Sequence, residues 1–399
     1  MPPLRVVDFV DRGQIATGHY GKQMLHISGL NELQELRDAN FGECTQLRFT
    51  YFTSLGKSLC YIDIMESNVK PSLIETALGK KKALVMGIGG GGDVIQGIPV
   101  ARLLKQIGIE TVYLGGVACS WWTTDGDPLS QQWGTAVMGP TLYDVNDLSH
   151  TKSHAPLIVE VTSESSLDVR KPCEASLAET LPGNIIFIAG LTGGAQGLGD
   201  SLKELVERES IDLVVGVDIG SDTFFDGKNA MPAKTSLVDF ISMAGILQLD
   251  CPIFYGVAGY GADGEMPLDE LDERVQRVMK AGGYLGAHGL TQGDVAAMEK
   301  ACDLYGDPVE PISWRAAKGE QGWVNVWTHG PWGTAIKITP LAAVMLFFDP
   351  KTIAESNSHG ILTMQKSKSL KEAEAIFREE LGQYPESLLH PTIEFFPPE

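Results

Sequence analysis

The segment that most restricts how this chain can fold is Met86-Gly87-Ile88-Gly89-Gly90-Gly91-Gly92-Asp93, which follows the apolar run Ala83-Leu84-Val85 and precedes a helix-like stretch, Val94 to Gln106. An apolar strand, a turn without side chains and a helix in direct succession is the unit of a parallel sheet whose crossovers are helical. Bare backbone at the turn lets N–H groups approach a ligand, and the amino end of the helix adds partial positive charge that suits an anion. Asp93 complicates that picture. A carboxylate beside an anion cradle is repulsive unless it meets sugar hydroxyls, a cation or a protonated group.

The same grammar recurs along the chain. Apolar strands are expected at Ala83–Gly87, Thr111–Gly115, Ile185–Gly190, Leu213–Asp218 and Ile253–Val257, with helices at Val94–Gln106, Leu198–Glu209, Ser236–Leu249 and Asp269–Ala281. This predicts an α/β fold: an open, mostly parallel, Rossmann-like sheet with helices on both faces. Residues 1–75 read differently, with alternation at Thr45–Thr53 and Ser58–Met65, and form a β-rich N-terminal extension or flap. Residues 80–350 make the α/β ligand-binding and catalytic domain, and 351–399 a charged C-terminal helix and tail. Cys119–Leu148, rich in Gly, Pro, Trp and Asp, reads as a long functional loop. Gly322–Thr328 alternates as a strand with Trp323, Asn325 and Trp327 on one face. Trp314, Trp323, Trp327 and Trp332 are expected in the core or a subunit contact, which keeps a homo-oligomer open.

Composition narrows the function classes. With 31 basic and 51 acidic residues, a net charge of -20 and no long basic run, the chain is not expected to bind nucleic acid. Six scattered cysteines without a C-x-x-C pair read as reduced core thiols in a cytoplasmic protein. No apolar run approaches the ~18 residues of a membrane span, and no signal-like start is present.

Ligands of open parallel sheets sit beyond the carboxyl ends of the strands, so residues just after each strand are the site candidates. Here those ends carry Gly89 to Gly92 with Asp93; Trp121, Asp125 and Asp127; Gly193 and Gly194; Asp218 and Asp222; and Asp263 and Glu265. So many carboxylates on one edge cannot all stay ionised in a partly dry cleft without a cation, protons or many donors. Three chemistries fit: a divalent cation such as Mg²⁺ on oxygen ligands, with Asp218, Asp222 and Asp263 as the metal set; ribose or other polyol hydroxyls; or acid–base catalysis by Asp93, Asp127 and Glu265. Asp is also a common cap and turn residue, so any single one of these acids can be structural. The glycines, with Trp121 as a stacking platform, would hold the ligand. Gly87 to Gly92 also satisfies G-x-G-x-x-G, but no acid closes the second strand, Thr111–Gly115, as a dinucleotide fingerprint requires.

These motifs, together with Val215-Gly216-Val217-Asp218-Ile219-Gly220-Ser221-Asp222 and Thr339-Pro340-Leu341 through Phe347-Phe348-Asp349, resemble the archaeal and bacterial family catalogued as domain of unknown function 1152. The likeness covers roughly residues 80–350. It implies the fold and the location of the site and supplies no reaction. From the residues themselves, the expected activity is metal-assisted hydrolysis or group transfer on a nucleoside, nucleotide or phosphorylated sugar. A nucleotide-binding sensor and an NAD(P)-dependent oxidoreductase are the alternatives.

Overall fold

The computed structural model describes residues 24–25, 45–54, 57–66, 70–123, 138–168, 171–220, 222–226, 236–302, 309–326, 334–357, 359–383 and 385. Two compact units divide at Lys70 and Pro71. In the first, β1 (Met24–Leu25), β2 (Thr45–Ser54) and β3 (Lys57–Glu66) form an antiparallel sheet in the order β1-β3-β2. The alternating segments of the extension are thus paired strands, while Leu4–Val10 and Leu30–Asp38 lie outside the described residues.

The second unit opens with helix α1 (Leu73–Ala77), strand β4 (Lys82–Gly87), helix α2 (Asp93–Gln106) and strand β5 (Thr111–Val117). A hairpin, β6 (Cys119–Thr123) and β7 (Met138–Leu142), is followed by β8 (Thr151–Ala155), β9 (Ile158–Val161), α3 (Cys173–Thr180) and β10 (Ile186–Ala189). Next come α4 (Gly194–Glu209), β11 (Leu213–Ile219), α5 (Ser236–Ile246), β12 (Ile253–Ala258), α6 (Leu268–Lys280) and β13 (Tyr284–Gly289). The chain continues through α7 (Gln292–Cys302), α8 (Pro311–Ala317), β14 (Gly322–Val326), β15 (Thr334–Ile338) and β16 (Val344–Phe348). Helices α9 (Pro350–Ser356), α10 (His359–Met364) and α11 (Leu370–Glu379) complete it.

Nine strands form one sheet in the order β13-β16-β12-β11-β4-β5-β10-β9-β8. Its centre, β12-β11-β4-β5-β10, is parallel throughout, and β16 and β9 flank it antiparallel. The fold is therefore α/β with a mostly parallel sheet. From β4 the chain steps outward to β5 and β10, then returns to the other side of β4 as β11 and continues to β12. That reversal makes a crevice at the carboxyl ends of β4 and β11, the place where such sheets bind ligands.

Alternation along β4 sends neighbouring residues to opposite cores. Val85 packs with Val94 and Ile98 of α2 and Trp314 of α8, whereas Leu84 and Met86 join Leu198 of α4, Phe240 of α5 and Phe377 of α11. Helices thus cover both faces. Among the described residues after Pro350, Ile353, Ile361, Ile376 and Phe377 are buried in this same core. The loop expected from Cys119 to Leu148 is corrected in part: β6 and β7 pair from Cys119↔Leu142 to Thr123↔Met138, with a 3₁₀ turn at Val145–Asp147. Gly139 and Pro140 interrupt the alternation that would have announced the hairpin. Trp314 fills core and Trp323 is 71% exposed, while Trp327 and Trp332 lie outside the described residues. Among the described residues no helix is long and apolar enough to cross a membrane.

Candidate functional site

The crevice between β4 and β11 is lined by carboxylates from three elements. Asp93 is the first residue of α2, Asp218 lies near the end of β11, and Asp239 faces them from α5. All three are buried, and one oxygen of each lies within 4.8 Å of the others. Gly89 makes this convergence possible: a Cβ there would stand 2.8 Å from Oδ1 of Asp239 and 2.9 Å from Oδ2 of Asp93. Steric access for carboxylates is thus one reason the turn is bare.

Each acid is held by specific donors. Asp93 accepts from the Gly89 amide at 2.6 Å and from the Ile219 amide at 3.2 Å, which ties the first turn of α2 to the end of β11. It does not cap its own helix, whose N-cap residue is Gly92. Oδ2 of Asp218 accepts from the Tyr255 hydroxyl at 2.8 Å and the Thr223 hydroxyl at 2.9 Å. The Thr223 hydroxyl also lies 3.1 Å from Oδ1 of Asp239, so one proton is shared between two carboxylates. Burial pushes Asp218 up from the ordinary carboxylate range, and its hydroxyl and backbone donors pull it partly back. Burial also pushes Asp222 well up, reinforced by the charges of Asp239, Asp218, Glu265 and Asp263 in that order. The Tyr255 phenol, buried beside Asp218, is held well above its usual range and stays a donor.

Asp218, Asp222, Asp263 and Glu265 lie close enough for their charges to act on one another, and Asp93 lies beside Asp218. Within that group the tight set differs from the expected metal set: Asp239 takes the place assigned to Asp222 and Asp263 beside Asp218. Asp222 begins a 3₁₀ turn next to Thr223, and Asp263 packs over Gly220, where a Cβ would overlap its carboxyl. Glu265 is partly exposed and its amide donates to Asp263 at 3.3 Å. Trp121 lies in β6, and Asp125 and Asp127 fall outside the described residues.

The glycine turns serve other partners than an open anion cradle would. Gly89 donates to Asp93 and Gly91 to the Cys119 carbonyl at 2.9 Å, leaving the Gly90 and Gly92 amides without acceptors among the described residues. Gly92 lies against the carboxyl of Glu310, which a Cβ would overlap. Gly193 and Gly194 open α4, but the next two amides are taken by the chain: Ala195 donates to the Ser367 hydroxyl at 3.0 Å and Gln196 to the Ser367 carbonyl at 3.0 Å. A Cβ on Gly194 would stand 2.8 Å from the Ser367 backbone, so this turn is a packing contact. His288 lies 3.5 Å from Asp294, which also pairs with Arg102, away from the acid cluster in sequence and element.

Asp239 escapes a reading that looks only at strand ends, since it sits in the first turn of a crossover helix. Its signal is different: it is the one charged residue in Ser-Leu-Val-Asp-Phe-Ile-Ser-Met-Ala-Gly-Ile, and every residue of that helix is buried. A carboxylate fully inside an apolar helix needs a partner, and here the partners are the other acids and Thr223. A family model described as a protein of unknown function (DUF1152) matches residues 84–387. No curated protein and no solved structure matches the chain.

Proposed function

The chain belongs to the DUF1152 family of proteins of unknown function, and we propose that it is a cytoplasmic enzyme that holds a divalent cation on Asp93, Asp218 and Asp239 and acts on a nucleotide or sugar phosphate. One observation carries this reading: three buried carboxylates with an oxygen each inside 4.8 Å, at the reversal point of a parallel sheet. Three negative charges in a closed space are stable only with protons or a cation, and an all-oxygen donor set suits Mg²⁺ or Mn²⁺. Such an ion would polarise a phosphoryl oxygen and make a bound water more acidic. It also explains how an acid-rich crevice can accept an anionic ligand.

The chain's own groups then divide the work. Thr223 and Tyr255 orient Asp218, and the Gly89 and Ile219 amides orient Asp93. Glu265, less buried than the inner acids and close to Asp222, would take a proton from water, with Asp127 as the other candidate for that base.

Calorimetric titration with Mn²⁺ tests the reading directly. One saturable site is expected, weakened at least about tenfold, or about 1.4 kcal/mol, by Asp218→Asn or Asp239→Asn. Release of phosphate or a transferred group from nucleotides and sugar phosphates should require the metal and vanish in the same variants. Absence of divalent binding, or NAD(P) binding that ignores these substitutions, would overturn it.

A further inference from the structure

A second group of polar side chains lies one strand away, at the end of β5. Ser120 Oγ, Thr141 Oγ1, Tyr143 Oη and Glu174 Oε2 are each closed to solvent and have no partner of good hydrogen-bond geometry among the described residues, although the Tyr143 and Ser120 hydroxyls approach each other. They are brought together by the fold. Ser120 and Thr141 face each other across β6 and β7, and the Tyr143 amide donates to the Ala118 carbonyl at 3.1 Å. Glu174, from the first turn of α3, lays its carboxyl over Gly116, where a Cβ would overlap Oε1. The group adjoins the glycine turn through Cys119, whose carbonyl receives the Gly91 amide.

Unsatisfied groups of this kind are rare singly in a folded protein and need an explanation when they occur together. Water is a poor one here, because none of the four atoms has surface that water can touch. The groups also share a character. Burial raises Glu174 to about 8, so at neutral pH it is mostly the acid, and burial beside Glu174 holds Tyr143 well above the usual phenol range. All four can therefore both donate and accept, and none is reliably charged. Their complement is an uncharged group rich in hydroxyls.

Position points to the same class. In parallel sheets with this strand order, an acid at the end of the second strand takes ribose hydroxyls. The sequence after Thr111–Val117 has no acid, yet the fold delivers Glu174 to that strand end from a later helix. We propose that Glu174, Tyr143 and Ser120, with Thr141, form a collapsed subsite that opens to bind the sugar hydroxyls of the ligand. The inference rests on the ligand being a nucleotide or sugar phosphate anchored at the neighbouring acid cluster.

Binding of D-ribose 5-phosphate and of inorganic phosphate, measured by calorimetry with and without Mn²⁺, tests it on the full chain. The wild type should bind ribose 5-phosphate at least about tenfold more tightly than phosphate. Tyr143→Phe, Ser120→Ala and Glu174→Gln should each reduce that preference and leave phosphate affinity unchanged. A second readout separates a subsite from a structural network. Removing a buried hydroxyl that has no well-formed partner should leave the melting temperature of the empty protein unchanged or raised in Tyr143→Phe and Ser120→Ala. Lower melting in both, or an unchanged sugar preference in all three variants, or no preference in the wild type, overturns the proposal. Mn²⁺ binding without a sugar preference would sink the subsite and leave the metal reading standing. A sugar preference lost in these variants without Mn²⁺ binding would do the reverse.

Discussion

Oδ2 of Asp218 accepts from two hydroxyls, those of Tyr255 and Thr223, and these donors fix the orientation of a carboxylate that lies close to Asp93 and Asp239. Orientation of this kind governs how well a carboxylate serves a cation, and loss of an outer partner commonly costs about 10- to 100-fold in metal affinity. Tyr255→Phe removes one donor with little change of volume at a fully buried position. Mn²⁺ affinity should fall by that order while the fold persists, at a stability cost of about 1–3 kcal/mol for the carboxylate left short of a partner. Calorimetry and urea denaturation read the two effects separately. Thr223→Val should act similarly and Thr223→Ser should restore affinity, because serine keeps the shared proton between Asp218 and Asp239. Equal metal affinity in all three variants would show that these hydroxyls serve packing alone.

The two glycine-opened helices look alike in sequence and differ in the structure. Helix α2 begins amid carboxylates, with Asp93 in its first turn, whereas the amino end of α4 is closed by Ser367. Ser367→Ala should therefore behave as loss of a helix cap, costing about 1 kcal/mol of stability and leaving Mn²⁺ binding unchanged. Gly89→Ala should do the opposite: its Cβ intrudes between Asp93 and Asp239, so metal binding should weaken more than stability does. Denaturant midpoints set against metal titrations distinguish these outcomes. The contrast also explains what was legible beforehand. Strands β4, β5, β10, β11 and β12 announce themselves as short apolar runs closed by glycine, and their ends locate the crevice to within a residue or two. Asp93 and Asp218 are visible that way. Asp239 and Glu174 are not, because each reaches the site from a helix, and only tertiary packing decides which turn of a helix meets which strand end. Nor can a glycine turn alone reveal whether a ligand or a distant loop such as Ser367 fills it.

Buried acids of raised pKa make the stability of the second unit depend on pH in a particular direction. Asp218, Asp222 and Glu174 are all pushed up by burial, Glu174 to about 8. A carboxyl that binds its proton more tightly folded than unfolded contributes stability that is complete below its unfolded pKa, about 4.3 for Glu, and is lost as pH rises through the folded value. Asp294 and Glu160 are shifted down by their partners, so their contribution is lost only in acid, below the unfolded range. Between about pH 5 and 8 the raised group dominates. The metal-free protein should thus melt at progressively lower temperature as pH increases across that window. For a domain of this size each kcal/mol corresponds to roughly 2 °C or slightly less. A divalent cation competes with protons for Asp93, Asp218 and Asp239, so it should raise the melting temperature more at pH 8 than at pH 5. Glu174→Gln removes one titrating group without touching the metal set, and should flatten the metal-free profile while preserving the pH dependence of the Mn²⁺ effect. Differential scanning calorimetry over pH 5–8, with and without Mn²⁺, measures both slopes. A metal-free profile that rises with pH would mean that the acids are ionised and balanced inside the fold, which their common burial argues against.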